Sequence, residues 1–507
     1  MTRNVNFTAR VGFLRLLCAL SAAALIASLA APPSLAQQAG AAQTKPSEVV
    51  RLNRAPVNKE VLRITLRKPV EATLSNGATV LILEDRRLPV VSVQINISGA
   101  GPLYEPEGMP GLASVTAQML REGTKTRSAV EIAQQIDQLG AAMGGGAGFG
   151  SSATTFSASG LSDNFEEWFA LAVDLLLNPT FPEKELATLK GRLQVALRQQ
   201  RASSGFLASE RFNKAVFGNH PAAVRSATAD SLKALASQHL AAWHRERYAP
   251  QNSIIGVAGD VDAKTLIPKL EKWLSAWKKT ELKEELPPNP APIAERRIYI
   301  VDRPGSVQSD IVMGNISIDR RDPDYYAVYV ANQIFGASAS SRLFLNLREN
   351  KGYTYGVYSS VNPLKYPVPW QFGGQVRNEV TEGAMEEFLK EANRLRDETV
   401  PAEELAEKQR SIVAGFALSL EQPTTQLSFA VISKIYGFPA DYWDKYPSNI
   451  MAVTPEQIQT VARKYINPAN IQLVAVGDAK TIRPVLEKYG PVEIYDTEGK
   501  PKPTGGN

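Results

Sequence analysis

The sequence predicts an α+β protein of two homologous domains from an internal duplication, each a mainly antiparallel sheet with helices packed on one face. Three observations carry this. The chain has 507 residues, more than the roughly 250–300 at which a single core stops growing. Two short stretches recur at nearly one offset: NSIIGVAGD at 252–260 matches NIQLVAVGD at 470–478, and PEKELA at 182–187 matches PAEELA at 401–406. In both halves a strand hairpin, helices, a strand and long helices follow one another in the same order. A period this long indicates duplicated domains rather than a solenoid.

The chain opens as an export signal. Arg3, Arg10 and Arg15 precede an apolar run over 16–31, Pro32 and Pro33 break it, and Ser34-Leu35-Ala36 supplies small residues for cleavage after Ala36. The run is shorter than the ~20 residues a spanning helix needs, so a cleaved signal (1–36) and a periplasmic protein are expected over a membrane anchor. Cys18, inside this run, is the only cysteine, and it lacks the small residues that precede a lipidated one. The mature chain would have no disulfide, thiolate metal site or thiol nucleophile. The formal charge is +5, and three of those charges sit in the signal. The remainder is near neutral, which gives no footing for nucleic-acid binding.

Residues 37–69 are polar, Ala/Gln-rich and irregular, and read as a flexible lead-in. In the first domain (70–279), Asn76-Gly77 between apolar runs is a hairpin signal, and 78–84 and 90–98 are strands. A Gly/Pro loop over 99–111 leads to a helix over 112–121, with apolar Leu112, Val115, Met119 and Leu120. Ser128 is placed as the cap of a second helix, 129–139, without a full capping box. Residues 149–161 are strand-like. Helices follow over 163–177 and 183–200, the first stopped by Asn178-Pro179 and the second opened by Pro182. A strand over 253–259 and a helix over 263–277 complete the domain. The proline-rich 280–295 is the linker, expected to stay out of any core. The second domain is 296–490, and 491–507 a tail.

Several stretches together carry a resemblance to a known family. They are LSNGATVLILEDRRLPVVSVQI from Leu74, the G-x-x-x-E-x-x-G-x-x-G loop at 101–111, Gly123-Thr124, the duplicated halves, and SRLFLNLRENKGYTYGVYSSV at 341–361. The chain resembles the pitrilysin/insulinase metallopeptidases, in particular the half-size branch that includes mitochondrial processing peptidase. Active members of that family carry H-x-x-E-H on the helix before the Gly-Thr. Two histidines one turn apart are zinc ligands, the glutamate is the base for the zinc-bound water, and a later glutamate is the third ligand. The resemblance places the histidine positions on Ser114 and Gln118 and the glutamate position on Ala117. Serine and glutamine are poor zinc ligands and alanine takes no proton. The downstream helix, 186–203, holds no carboxylate. Of the three histidines, His239 and His244 are five apart, about 140° around a helix, and His220 lies in a turn. All three read as surface or partly buried residues. No metal is expected on this chain.

The resemblance leaves one positive feature. Arg348 and Tyr355 match an arginine–tyrosine pair that in the family binds the substrate backbone and the oxyanion forming at the scissile carbonyl. Arg342 reads as structural. The glycine cluster 140–150, densest over 144–150, lacks the Gly-Lys-Ser/Thr of a phosphate loop. It is read either as a mobile peptide-contacting loop leading into an edge strand over 151–159 or as a plain flexible turn. Arg192 to Arg211 reads as a solvated helix face, and the aromatic cluster of Tyr436, Phe438, Tyr442, Trp443 and Tyr446 as core or interface. The expected function is an exported, non-catalytic, substrate-binding subunit whose zinc is carried by an H-x-x-E-H partner. The alternative is a structural or peptide-binding homologue outside catalysis.

Overall fold

Two sheets carry the fold, and their strand orders repeat. The computed structural model describes residues 63–503, all within one unit, Val61–Asn507. The expected signal (1–36) and the expected lead-in up to residue 62 lie outside the described residues. The first sheet consists of β1 (Val70–Thr73), β2 (Thr79–Glu84), β3 (Val90–Ser98), β4 (Ala142–Gly146), β5 (Ala153–Leu161) and β6 (Ser253–Gly259), in the order β1-β2-β6-β3-β5-β4. The second consists of β7 (Arg297–Asp302), β8 (Gln308–Ile316), β9 (Thr354–Ser360), β10 (Pro369–Arg377), β11 (Gln472–Gly477), β12 (Val492–Tyr495) and β13 (Pro501–Lys502), in the order β13-β12-β7-β11-β8-β10-β9. Strands β2-β6-β3-β5-β4 therefore correspond one for one to β7-β11-β8-β10-β9. One matching pair is parallel in both sheets, β2 with β6 and β7 with β11. The repeated stretches at 252–260 and 470–478 contain β6 and β11 of these pairs.

The helices of the first half include α1 (Leu112–Met119), α2 (Ala129–Gln138), α3 (Phe165–Leu177), α4 (Glu183–Arg201), α5 (Ser204–Phe217), α6 (Ser237–Arg247) and α7 (Ala263–Trp273). In the second half they include α8 (Tyr325–Phe335), α9 (Thr381–Asp397), α10 (Ala402–Ser419) and α11 (Pro423–Tyr436). Strand β3 alternates: Val91, Val93, Ile95 and Ile97 are buried while Ser92, Gln94 and Asn96 are not. The buried set packs with Leu112 and Val115 of α1 and with Trp168 and Phe169 of α3. Ser128 does carry a complete capping box: Glu131 stands at the third position, and its carboxylate accepts from the Ser128 backbone N–H.

One expectation about the layers needs correction. Each sheet has its own helices on one face, but the other face is covered by a helix from the opposite half. Leu427 and Val431 of α11 pack on Leu81, Leu83 and Ala258 of the first sheet. Leu207 and Ala208 of α5 pack on Val301 and Val476 of the second. Gly256 allows the first contact, since a Cβ there would lie 3.1 Å from Leu427. Each buried Leu or Val contributes roughly 1.5–3 kcal/mol, so the exchange ties the halves together.

The reading of Arg192 to Arg211 as a solvated face holds for Arg192 and Arg198, which are exposed, and fails at its far end. Arg201 makes a two-pronged ion pair with Glu210, both bonds at 2.8 Å, and Arg211 lies 4.0 Å from the Tyr495 ring centre. The linker 280–295 forms no helix or strand, yet it is packed. Leu286 and Ile293 lie against the second half's core, and Glu284 binds Lys365 at 2.8 Å and Tyr104 at 3.2 Å. The segment read as a tail contributes β12, parallel to β7. The aromatic cluster packs at the margin of the core, with Tyr446 buried and Trp443 partly buried against it; buried Arg320 sits 3.7 Å from the Tyr325 ring centre and donates to the Tyr442 hydroxyl at 2.8 Å.

Candidate functional site

Helix α1 starts at Gly111, whose φ of 102° is readily adopted only by glycine. Its first N–H groups are met by the loop before it. Glu105 accepts from Gly111 N at 2.9 Å and from Ala113 N at 2.7 Å, placing a carboxyl at the positive end of the helix. Burial pushes this carboxyl up to about 7, against the pull of the two backbone bonds.

Along α1 the three motif positions are occupied by groups that close the site. Gln118 Nε2 donates to Ser114 Oγ at 3.1 Å, so the two positions one turn apart satisfy each other. Ala117 is fully buried. Above it runs β4, the edge strand of the sheet, and a Cβ on Gly145 would lie 2.5 Å from the Ala117 carbonyl oxygen. The edge strand is therefore the glycine run itself, Ala142–Gly146, and not 151–159; β5 lies between β3 and β4. On α4, Lys190 is used to bind the Lys233 and Leu235 carbonyls, and Arg192 lies 3.9 Å from Glu122. Among the described residues no three His, Cys, Asp or Glu side chains cluster where they could hold a metal ion. The residues at these positions do not fit zinc.

The histidines have structural partners. His220 is buried, accepts from Ala222 N at 3.1 Å through Nδ1, and lies 4.8 Å from the Tyr366 ring. His239 accepts from Ala236 N at the start of α6. His244 Nε2 lies 2.8 Å from the Leu176 carbonyl, so that nitrogen carries the hydrogen; burial pushes the ring down to about 4.

The second half is organised differently. Arg342 is buried and grips Glu404 with two bonds, 2.9 and 2.7 Å, which is a structural role. A π-helical turn, Leu345–Asn350, follows and carries Arg348. The Arg348 guanidinium lies 4.7 Å from the Phe344 ring centre, and its ion pair, to neighbouring Glu349, is long (3.7 Å) and exposed. Gly352, at φ 64°, turns the chain into β9, the edge strand of the second sheet. Tyr355 on β9 is 90% exposed. Arg348 and Tyr355 thus come from consecutive elements at one sheet edge. Among the described residues no hydrogen bond, ion pair or ring contact links them to Ser114, Ala117 or Gln118. Sequence reasoning missed Glu105 as the cap of α1 and Gly145 as its cover; the Glu of the G-x-x-x-E-x-x-G-x-x-G loop was the available signal for the first.

Comparison with known proteins agrees with this anatomy. Residues 79–227 match the family described as Insulinase (Peptidase family M16), and 234–412 match that described as Peptidase M16 inactive domain. The chain is 23% identical over 399 residues to an uncharacterized zinc protease, YmxG, of Bacillus subtilis (strain 168), covering 77% of this chain and 94% of that one. It is 28% identical over 298 residues to an uncharacterized zinc protease of Rickettsia bellii (strain RML369-C), covering 57% and 69%. Among solved structures, a peptidase M16 inactive domain from Pseudomonas fluorescens superposes with a TM-score of 0.74 at 28% identity, over 81% of this chain and 98% of that one. With matches in both halves and a duplicated sheet topology beneath them, the chain belongs to the insulinase family, peptidase family M16.

Proposed function

We propose that this chain is an exported, non-catalytic, substrate-binding subunit of a heterodimeric zinc metalloendopeptidase acting on peptides. Its zinc is carried by a homologous partner bearing H-x-x-E-H, and this chain presents Arg348 and Tyr355 to the peptide held there. The observation that carries the reading is the contrast in exposure: Ala117 is fully buried, whereas Tyr355 is 90% exposed. In peptide hydrolysis negative charge develops on the scissile carbonyl oxygen. A phenol and a guanidinium with no buried hydrogen-bond or ion-pair partner among the described residues can donate to it. Among the described residues β4 pairs with β5 alone, which leaves its other backbone edge available to an extended peptide. No helix among the described residues is long and apolar enough to cross a membrane.

The test is reconstitution. The purified chain alone binds no stoichiometric zinc and cleaves nothing; co-expressed with an H-x-x-E-H homologue it restores cleavage. Full activity of the partner without this chain, or unchanged activity with Arg348→Ala and Tyr355→Phe, returns the chain to the alternative of a structural or peptide-binding homologue. Amino-terminal sequencing of the protein from the cell envelope is expected to begin just after Ala36; an intact Met1 refutes cleavage.

A further inference from the structure

We infer that Asn346, bridged to Glu387 and Glu391, is a positioning residue that holds the π-helical turn and so keeps Arg348 on its Phe344 platform, facing the peptide. This rests on the reading of Arg348 as a peptide ligand.

π-Helical turns are rare and persist where tertiary contacts hold them. Here Lys351 N bonds the Asn346 carbonyl at 3.0 Å, a five-residue span that bulges the turn. Asn346 is buried beneath it. The two hydrogens of its amide go to two carboxylates, Glu387 Oε2 at 2.8 Å and Glu391 Oε1 at 2.7 Å. Both carboxylates are buried and lie one turn apart on α9. The far end of the π-turn is tied to the same place, since Lys351 Nζ lies 3.1 Å from Glu387 Oε1. Lys390 and Arg394 complete the charge balance, at 3.1 Å from Glu387 and 3.5 Å from Glu391. Burial pushes the Glu387 carboxyl up, but its donors outweigh this and bring it down to about 2.

Two like charges buried one turn apart are a costly way to stabilise a helix; apolar residues of similar volume would do as well or better. What the arrangement supplies is directionality, because the amide fits only where both carboxylates meet it. Phe344 completes the platform. It is buried, with the Arg348 guanidinium 4.7 Å from its ring centre and the Tyr358 ring of β9 at 5.7 Å. The backbone of Arg348 is thus set from below by Asn346, and its side chain by the ring one turn earlier.

The experiment is a double-mutant cycle on the full chain, with fluorescein-labelled β-casein as the unfolded polypeptide and binding read by anisotropy. Arg348→Ala is expected to weaken binding about tenfold, the loss of roughly one charge-assisted contact. Asn346→Ala is expected to weaken it similarly, and the double variant no further than Arg348→Ala alone. Phe344→Leu, which keeps an apolar side chain in the core, repeats the cycle if Asn346→Ala does not fold. Weakened binding in Arg348→Ala beside wild-type binding in Asn346→Ala and Phe344→Leu overturns the inference alone, as do effects that multiply. Wild-type affinity in Arg348→Ala overturns the peptide-binding reading and this inference with it.

Discussion

Strands β4 and β9 occupy the same place in the two halves, the edge beyond β5 and β10, and they have diverged in opposite directions. β4 is Ala-Met-Gly-Gly-Gly, with only Met143 buried. With no side chain at Gly145, its backbone settles onto the Ala117 carbonyl of α1. β9 is Thr-Tyr-Gly-Val-Tyr-Ser-Ser, with Val357 and Ser359 turned into the core and Tyr355 and Tyr358 exposed. One edge strand lies with its face on helix α1, which carries Ser114, Ala117 and Gln118. The other holds its polar side chains out to solvent, on a turn braced from below. A duplication preserves topology because hydrogen-bond order and core packing demand it, while an edge strand has one face of backbone and alternate side chains free to change.

The largest effect expected from this comparison is on β9. In the reconstituted complex, Arg348→Ala and Tyr355→Phe should each lower the cleavage rate by about 10²–10³-fold, the scale of losing one oxyanion donor, with the melting temperature unchanged. Steady-state kinetics decide it, and a loss below about threefold breaks the asymmetry proposed between the edges. On β4 the effect is on stability. Gly145→Ala drives a methyl into the Ala117 carbonyl and should cost about 1–3 kcal/mol, measured by urea unfolding; a neutral result means that β4 does not lie tightly on α1.

A smaller effect concerns the start of α1. The Glu105 carboxyl is raised from 4.5 to about 7. A raised folded value means that the folded state binds the proton more tightly, so this contribution is complete below pH 4.5 and is lost as pH rises through about 7. Glu105→Gln should flatten the decline in stability across that window and be less stable than the parent below pH 4.5, because the amide offers one oxygen to the two backbone N–H groups. An unchanged pH profile in the variant removes Glu105 from this role. The smallest effects are expected at Gly144 and Gly146, where a Cβ would meet nothing within 4 Å. Gly144→Ala and Gly146→Ala should be neutral or stabilise by up to about 1 kcal/mol through the unfolded chain. Losses equal to that of Gly145→Ala would show that the whole run, and not one contact, needs glycine.

Much of the fold was legible. Asn76-Gly77 joins β1 to β2, Pro182 and Pro401 precede α4 and α10, and the repeated strand sequences are β6 and β11. Each depends on local chemistry: a turn needing φ above zero, a helix start that tolerates proline, a buried strand made of apolar residues. The glycine run was not legible as a strand, because three glycines carry no alternation and no β-branched side chain; pairing with β5 makes it one. Nor was the exchange of α5 and α11 across the halves. Arg201 and Arg211 look solvated until Glu210 and the Tyr299 and Tyr495 rings are brought to them. The capping box at Ser128 and Glu131 was in the sequence throughout, at its ordinary spacing.

At the candidate site the division follows the same logic. Ser114, Ala117 and Gln118 cannot provide two imidazoles and a carboxylate in any fold, since that is a property of residue type. Likewise Arg348 and Tyr355 were singled out by the residue pattern around them. That Gly145 covers Ala117, and that Asn346 braces the turn beneath Arg348 through Glu387 and Glu391, were decided by tertiary structure alone. Each depends on groups from different elements meeting within a few ångströms, and side-chain chemistry along the chain does not specify which elements will meet.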